Sequence, residues 1–147
     1  MLLFFISTLL IQINFIAPDV QTTNWETDYA LATAKAKAED KMVFMLFTGS
    51  DWCMSCKRLR KKVLASDDFQ TFADQNLVLL EIDFPRNNRN QDLEQIRQNE
   101  LLAKKYNKEG AVPKIIIMQD GHKVGQIMYR GESTNAFIKK LTNLIDA

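Results

Sequence analysis

Cys53 and Cys56 are the only cysteines in the chain, and they stand as C-x-x-C in the run Phe47-Thr48-Gly49-Ser50-Asp51-Trp52-Cys53-Met54-Ser55-Cys56-Lys57. Two sulfurs at that spacing can close on each other and reopen, so the pair reads as a redox centre. On an ideal helix, positions i and i+3 bring the Cβ atoms to about 5–6 Å, close to what a disulfide needs. Zinc would want four ligands, and the chain adds only one histidine, His122, far along the sequence. Two thiolates flanking Met54 could hold Cu(I), a soft ion that accepts few ligands, which is the second reading after dithiol chemistry. Simple core filling suits Cys56 but not an exposed Cys53 that follows a tryptophan.

The residues around the pair say how it is positioned. Met42-Val43-Phe44-Met45-Leu46-Phe47 is a short continuous apolar run, the pattern of a strand buried on both faces. After the motif, Trp52, Cys56, Leu59 and Val63 recur at the spacing of one helix face, which turns Cys56 inward and leaves Cys53 at the first turn. There the free backbone N–H groups and the positive end of the helix favour a thiolate. Cys53 is thus expected to be the exposed attacker and Cys56 the shielded resolver. The run Lys57-Arg58-Leu59-Arg60-Lys61-Lys62 is first of all a solvated helix face, although beside Cys53 it would also favour the thiolate and steer acidic partners.

Hydrophobic residues make up 46% of the chain and the formal net charge is +1, so one small domain can bury a core without disulfide staples. Near-neutral charge argues against nucleic acid as a partner. Residues 1–20 differ in character from the rest. Leu2 to Ile16 is almost wholly apolar but short of the roughly 20 residues of a membrane span, and a signal peptide or an N-terminal anchor is expected there. No Lys or Arg precedes the apolar stretch and no A-x-A cleavage pattern ends it. Either reading places the folded part outside the cytoplasm.

Farther on, Trp25 to Asp40 is rich in Ala, Lys and Glu and reads as a helix capped by Thr23 or Asn24. The cysteine helix should end near Leu64, and Ser66-Asp67-Asp68 should open a short helix. Leu77 to Phe84 is the next apolar strand, and Asp92 to Tyr106 a helix with Leu93, Ile96, Leu101 and Leu102 as its apolar positions. A strand from Lys114 to Gln119 should turn at Asp120-Gly121 into a hairpin partner, Val124 to Tyr129, before a last helix capped by Ser133.

From Trp25 to the C-terminus, that order, with Trp52-Cys53-x-x-Cys56-Lys57 and Ala111-Val112-Pro113, resembles the thioredoxin superfamily. The resemblance implies an α/β thioredoxin fold over residues 24–147, a central mixed sheet flanked by helices, with an extra N-terminal helix. It implies Cys53 and Cys56 as catalytic residues and redox-active disulfide, and Trp52, Val112 and Pro113 as the substrate-binding rim, the Val112–Pro113 bond being cis. No organic cofactor is implied, because the cysteines carry the electrons. Asp51 to Lys57 followed by Val63, Ser66, Asp67 and Phe69 is similar to the C-terminal periplasmic domain of DsbD and to small exported thioredoxin-like proteins. That likeness implies an exported, monomeric protein-disulfide reductase acting on disulfide-containing or dithiol proteins and fed by a membrane electron donor. An oxidant, an isomerase or a non-catalytic module are the other readings, since Met54-Ser55 does not set a potential.

One departure stands out. Thioredoxins carry a buried aspartate at about Leu46 and its lysine partner near Leu79, and both positions are apolar here. Glu81 and Asp83 are the replacements suggested by position, each more readily read as a solvated or capping carboxylate than as a base.

Overall fold

The computed structural model describes residues 24–147; the expected signal peptide or anchor lies outside them. The described chain begins with Trp25 and Glu26 in extended conformation. It then runs through α1 (Tyr29–Ala38), β1 (Met42–Thr48), α2 (Met54–Leu59), a π-helical turn (Arg60–Leu64), α3 (Asp67–Asn76) and β2 (Leu77–Asp83). There follow α4 (Leu93–Tyr106), β3 (Lys114–Gln119), β4 (His122–Met128) and α5 (Thr134–Ile145). Among the described residues the strands form one mixed sheet in the order β2-β1-β3-β4, with β1 parallel to β2 and the other pairs antiparallel. This is the thioredoxin-like fold.

Every residue of β1 is buried, because helices cover both faces of the sheet. Its side chains alternate. Phe44 and Leu46 join Leu59, Val63, Phe69, Leu79 and Phe137 under α2, α3 and α5, while Val43, Met45 and Phe47 join Ala32, Ala36, Val78, Leu80, Ile82 and Leu102 under α1 and α4. Each large apolar side chain so buried contributes about 1.5–3 kcal/mol relative to exposure. Phe44, Phe69 and Phe137 stack against one another with ring centroids 5.8–6.5 Å apart, which fixes α3 and α5 on the same face. The hairpin turns at Asp120-Gly121, both with positive φ, as a tight turn between twisted strands requires. Its second strand starts at His122, two residues ahead of the sequence expectation.

Two expectations need correction. The first helix starts at Tyr29, with the Asp28 carboxylate accepting from the Leu31 N–H as N-cap, rather than at Trp25 under Thr23 or Asn24. Glu26 instead extends the sheet: its N–H donates to the Leu79 carbonyl and its carbonyl accepts from the Glu81 N–H. On α4, Leu93 and Leu101 are exposed, and Asn99 with Leu102 takes the inward position, the Asn99 amide donating to the Asp83 carbonyl.

Candidate active site

The site gathers at one end of the sheet. β1 and β2 both end there, Thr48 pairing with Asp83, and β3 begins there, Lys114 pairing with Phe47, so Pro113 lies level with the last residues of β1. The Val112–Pro113 peptide bond is cis, Pro113 is buried and Val112 is partly exposed. From the end of β1 the chain makes a tight loop, Gly49 to Trp52, into α2.

That loop is held from two sides. Asp83 accepts from the Ser50 N–H at 2.9 Å and from its hydroxyl, so this carboxylate caps the loop. Asp51 accepts from the backbone N–H groups of Arg86 and Asn87, at 3.0 and 3.1 Å, and those bonds hold its carboxyl below the usual carboxylate range. The Trp52 indole N–H donates to the Phe84 carbonyl at 2.8 Å, and the Arg86 guanidinium lies 5.9 Å from the ring centroid. Residues 84–87 therefore form part of the rim. In the sequence Phe84 read as the end of a strand and residues 85–87 fell between two elements; Pro85, two residues past the end of β2, was the available signal of an ordered turn. Gly49 is required by close approach, since a Cβ there would run into the Trp52 indole.

Cys53 is the N-cap of α2 and Cys56 lies in its first turn, and the two form a disulfide with Cα atoms 5.2 Å apart. The Cys53 Sγ accepts from the Cys56 N–H at 3.2 Å and lies 3.3 Å from the Ser55 hydroxyl oxygen. Both cysteines are 5% exposed, so the expected contrast between an exposed Cys53 and a shielded Cys56 is absent from the closed pair. Exposure falls instead on the residues beside it, Trp52 at 39% and Met54 at 71%. Trp52 thus stands outside the inward stripe of Cys56, Leu59 and Val63, at the rim.

Leu46 and Leu79 are both 2% exposed and belong to the core, so no carboxylate or lysine occupies those positions. Glu81 pairs in register with Leu46 on the neighbouring strand and forms an ion pair with Arg60, whose guanidinium also lies 5.1 Å from the Trp25 ring centroid. Burial pushes the Glu81 carboxyl up, against the opposing charge of Arg60. Among the described residues no group of three or more His, Cys, Asp or Glu side chains is arranged to hold a metal ion, and His122 starts β4 at the hairpin.

Residues 24–119 match the Thioredoxin-like family. A curated relative, the disulfide bond reductase DsbH of Chlamydia pneumoniae, is 31% identical over 121 residues, 82% of this chain and 72% of the relative. The solved structure of a DsbH oxidoreductase superposes with a TM-score of 0.79 at 30% identity, covering 95% of this chain and 94% of the other. The C-terminal domain of Neisseria meningitidis DsbD, in its oxidised form, shares the fold with a TM-score of 0.54 at 20% identity, over 78% of this chain and 89% of that domain.

Proposed function

This chain belongs to the thioredoxin-like family and is a thiol-disulfide oxidoreductase, and on that premise we propose that it works as a reductase of disulfides in exported proteins. The observation that carries the reading is the closed Cys53–Cys56 pair at the start of α2, with the Cys53 sulfur already accepting the Cys56 N–H. That donor and the helix start favour a thiolate on Cys53 when the pair opens.

In the reduced protein the Cys53 thiolate attacks one sulfur of a partner disulfide. A Cys53–partner disulfide forms, and the partner's other sulfur leaves and takes up a proton. Cys56 then loses its proton and attacks the Cys53 sulfur, which expels the second partner thiolate and restores the Cys53–Cys56 disulfide. Two electrons have passed to the partner, and a donor dithiol, supplied from the membrane, must return them. Trp52 forms the outer wall of the reacting site, and Val112 and Pro113 present backbone to the partner segment. Export is supported by the apolar segment Leu2 to Ile16, with residues 1–20 serving as signal peptide or anchor.

Two readouts on purified protein test this. The reduction potential of the pair in glutathione or dithiothreitol buffers should fall near that of thioredoxin, about −270 mV, whereas a value near that of DsbA, about −120 mV, would identify an oxidant and end the reductase reading. Cys56→Ser should accumulate mixed disulfides through Cys53; a variant that captures no partner while the unaltered protein turns over would refute the division of roles.

A further inference from the structure

The segment from Met54 to Leu64 carries five basic residues and no acidic one, in a chain with 19 basic and 18 acidic residues overall. The rest of the molecule is therefore net negative, and the positive charge is concentrated next to the disulfide. Its direction follows from helical spacing. Met54, Lys57 and Arg58, and Lys61 and Lys62, recur at steps of three and four, so they line one exposed stripe that starts inside the C-x-x-C motif itself.

Arg60 is excluded from this stripe, since it is engaged with Glu81 and Trp25. Lys57 turns back to the loop before Cys53, its ammonium donating to the Asp51 carbonyl at 3.0 Å, which brings its charge beside the motif. Arg58, Lys61 and Lys62 are exposed and make no ion pair among the described residues. Of the nearest acids along the chain, Asp51 has its carboxylate bound by the Arg86 and Asn87 N–H groups, and Asp67 and Asp68 lie past the far end of the stripe in the first turn of α3, where they complement that helix's own positive end. A further guanidinium, that of Arg86, lies over Trp52.

We propose that this stripe is a docking surface for an acidic segment of the partner protein, lying next to the disulfide to be reduced, with the exposed Met54 and Trp52 as its apolar contact. The inference rests on the reductase reading and names the partner's chemistry. A partner disulfide must come within bonding distance of Cys53, so chain that flanks it on the α2 side meets the stripe, while chain on the other side runs past Val112 and Pro113. Four like charges there attract an acidic flank and repel a basic one. An anionic lipid surface is the competing occupant, but only Met54 and Trp52 stand there as large exposed apolar side chains, and Trp52 is tied by its indole N–H to the Phe84 carbonyl.

The test uses the full chain, reduced and held in mild detergent, with two synthetic peptides that each contain one disulfide, flanked by Asp and Glu in one and by Lys in the other. Neutral 2-hydroxyethyl disulfide is the reference. At low salt the acidic peptide should be reduced about tenfold faster than the basic one, and the ratio should approach unity at about 1 M salt, where the screening length is about 3 Å. The double variant Lys61→Glu, Lys62→Glu should abolish or invert the preference while its rate on the neutral disulfide stays within about twofold; both side chains are exposed, and the salt dependence of the unaltered protein tests the proposal without any variant.

Equal rates for the two peptides, with the neutral disulfide still reduced, would overturn the docking proposal alone. Failure to reduce the neutral disulfide would remove the reductase reading and the proposal with it. Equal peptide rates together with cosedimentation that favours phosphatidylserine-containing vesicles over neutral ones, and loses that preference in the double variant, would assign the stripe to membrane lipid instead.

Discussion

Glu81 is where the residue-level chemistry departs furthest from the sequence expectation. Its strand neighbour in register is Leu46, so a carboxylate stands one strand away from the apolar position where thioredoxins have theirs, and it is paired with Arg60 rather than solvated. Asp83 is the capping carboxylate of the two, bound to Ser50. Burial raises the Glu81 carboxyl above its ordinary 4.5, with Arg60 opposing and Asp83 reinforcing the shift. A carboxyl raised on folding is favoured in its protonated form by the native state, so the stability it confers is complete below the unfolded value and is lost as pH rises through the folded value. Glu81→Gln removes that titration. The variant should therefore gain stability relative to the unaltered protein as pH climbs from about 4.5 through the raised folded value, in urea unfolding followed across that range. A difference independent of pH would mean that Arg60 compensates the burial in full.

At the scale of elements, the loop between β1 and α2 determines the site more than either element does. Ser50 and Asp51 are each fixed by a partner on or just after β2, and Gly49 leaves room for the Trp52 indole that closes over them. Gly49→Ala should therefore push the indole off the Phe84 carbonyl, cost about 1–3 kcal/mol as overpacking does, and slow disulfide exchange, read by denaturant unfolding and by turnover on a protein disulfide. Unchanged stability and turnover would show that Trp52 moves aside freely. The cysteine pair, the apolar strands and the helix starts at Ser66 and Ser133 were legible because each is a local pattern: a spacing, a run, or an oxygen just before a helix. The clamp made by Phe84 to Asn87 was not, because it joins segments more than thirty residues apart. The exposure expected for Cys53 from the helix-face spacing is not seen, since both cysteines of the closed pair are buried. Helix composition misled at the start of α1, where backbone pairing with Leu79 and Glu81 overrides the local preference of Trp25 and Glu26.

For the molecule as a whole, that short extended segment before α1 joins the edge of the sheet to the cysteine helix. Trp25 packs against Phe44 in a T-shaped pair at 6.0 Å between ring centroids, while the Arg60 guanidinium lies over the Trp25 ring and reaches Glu81 on β2. One side chain thus touches the large core cluster and the residue that follows α2, and none of this was visible in the sequence, where Trp25 read as the first turn of a helix. Trp25→Ala should remove the aromatic pair and leave part of the Arg60 and Phe44 surface uncovered. Full truncation of a buried aromatic costs about 3–5 kcal/mol, and Trp25 is only partly buried, so the expected loss is about 2–3 kcal/mol. Trp25→Phe keeps the ring against Phe44 and should retain more than half of that. Urea unfolding should show a lower midpoint with an unchanged slope, since the segment folds with the rest of the core. A midpoint that stays put would mean that the extended segment is attached to the sheet by its two backbone hydrogen bonds alone.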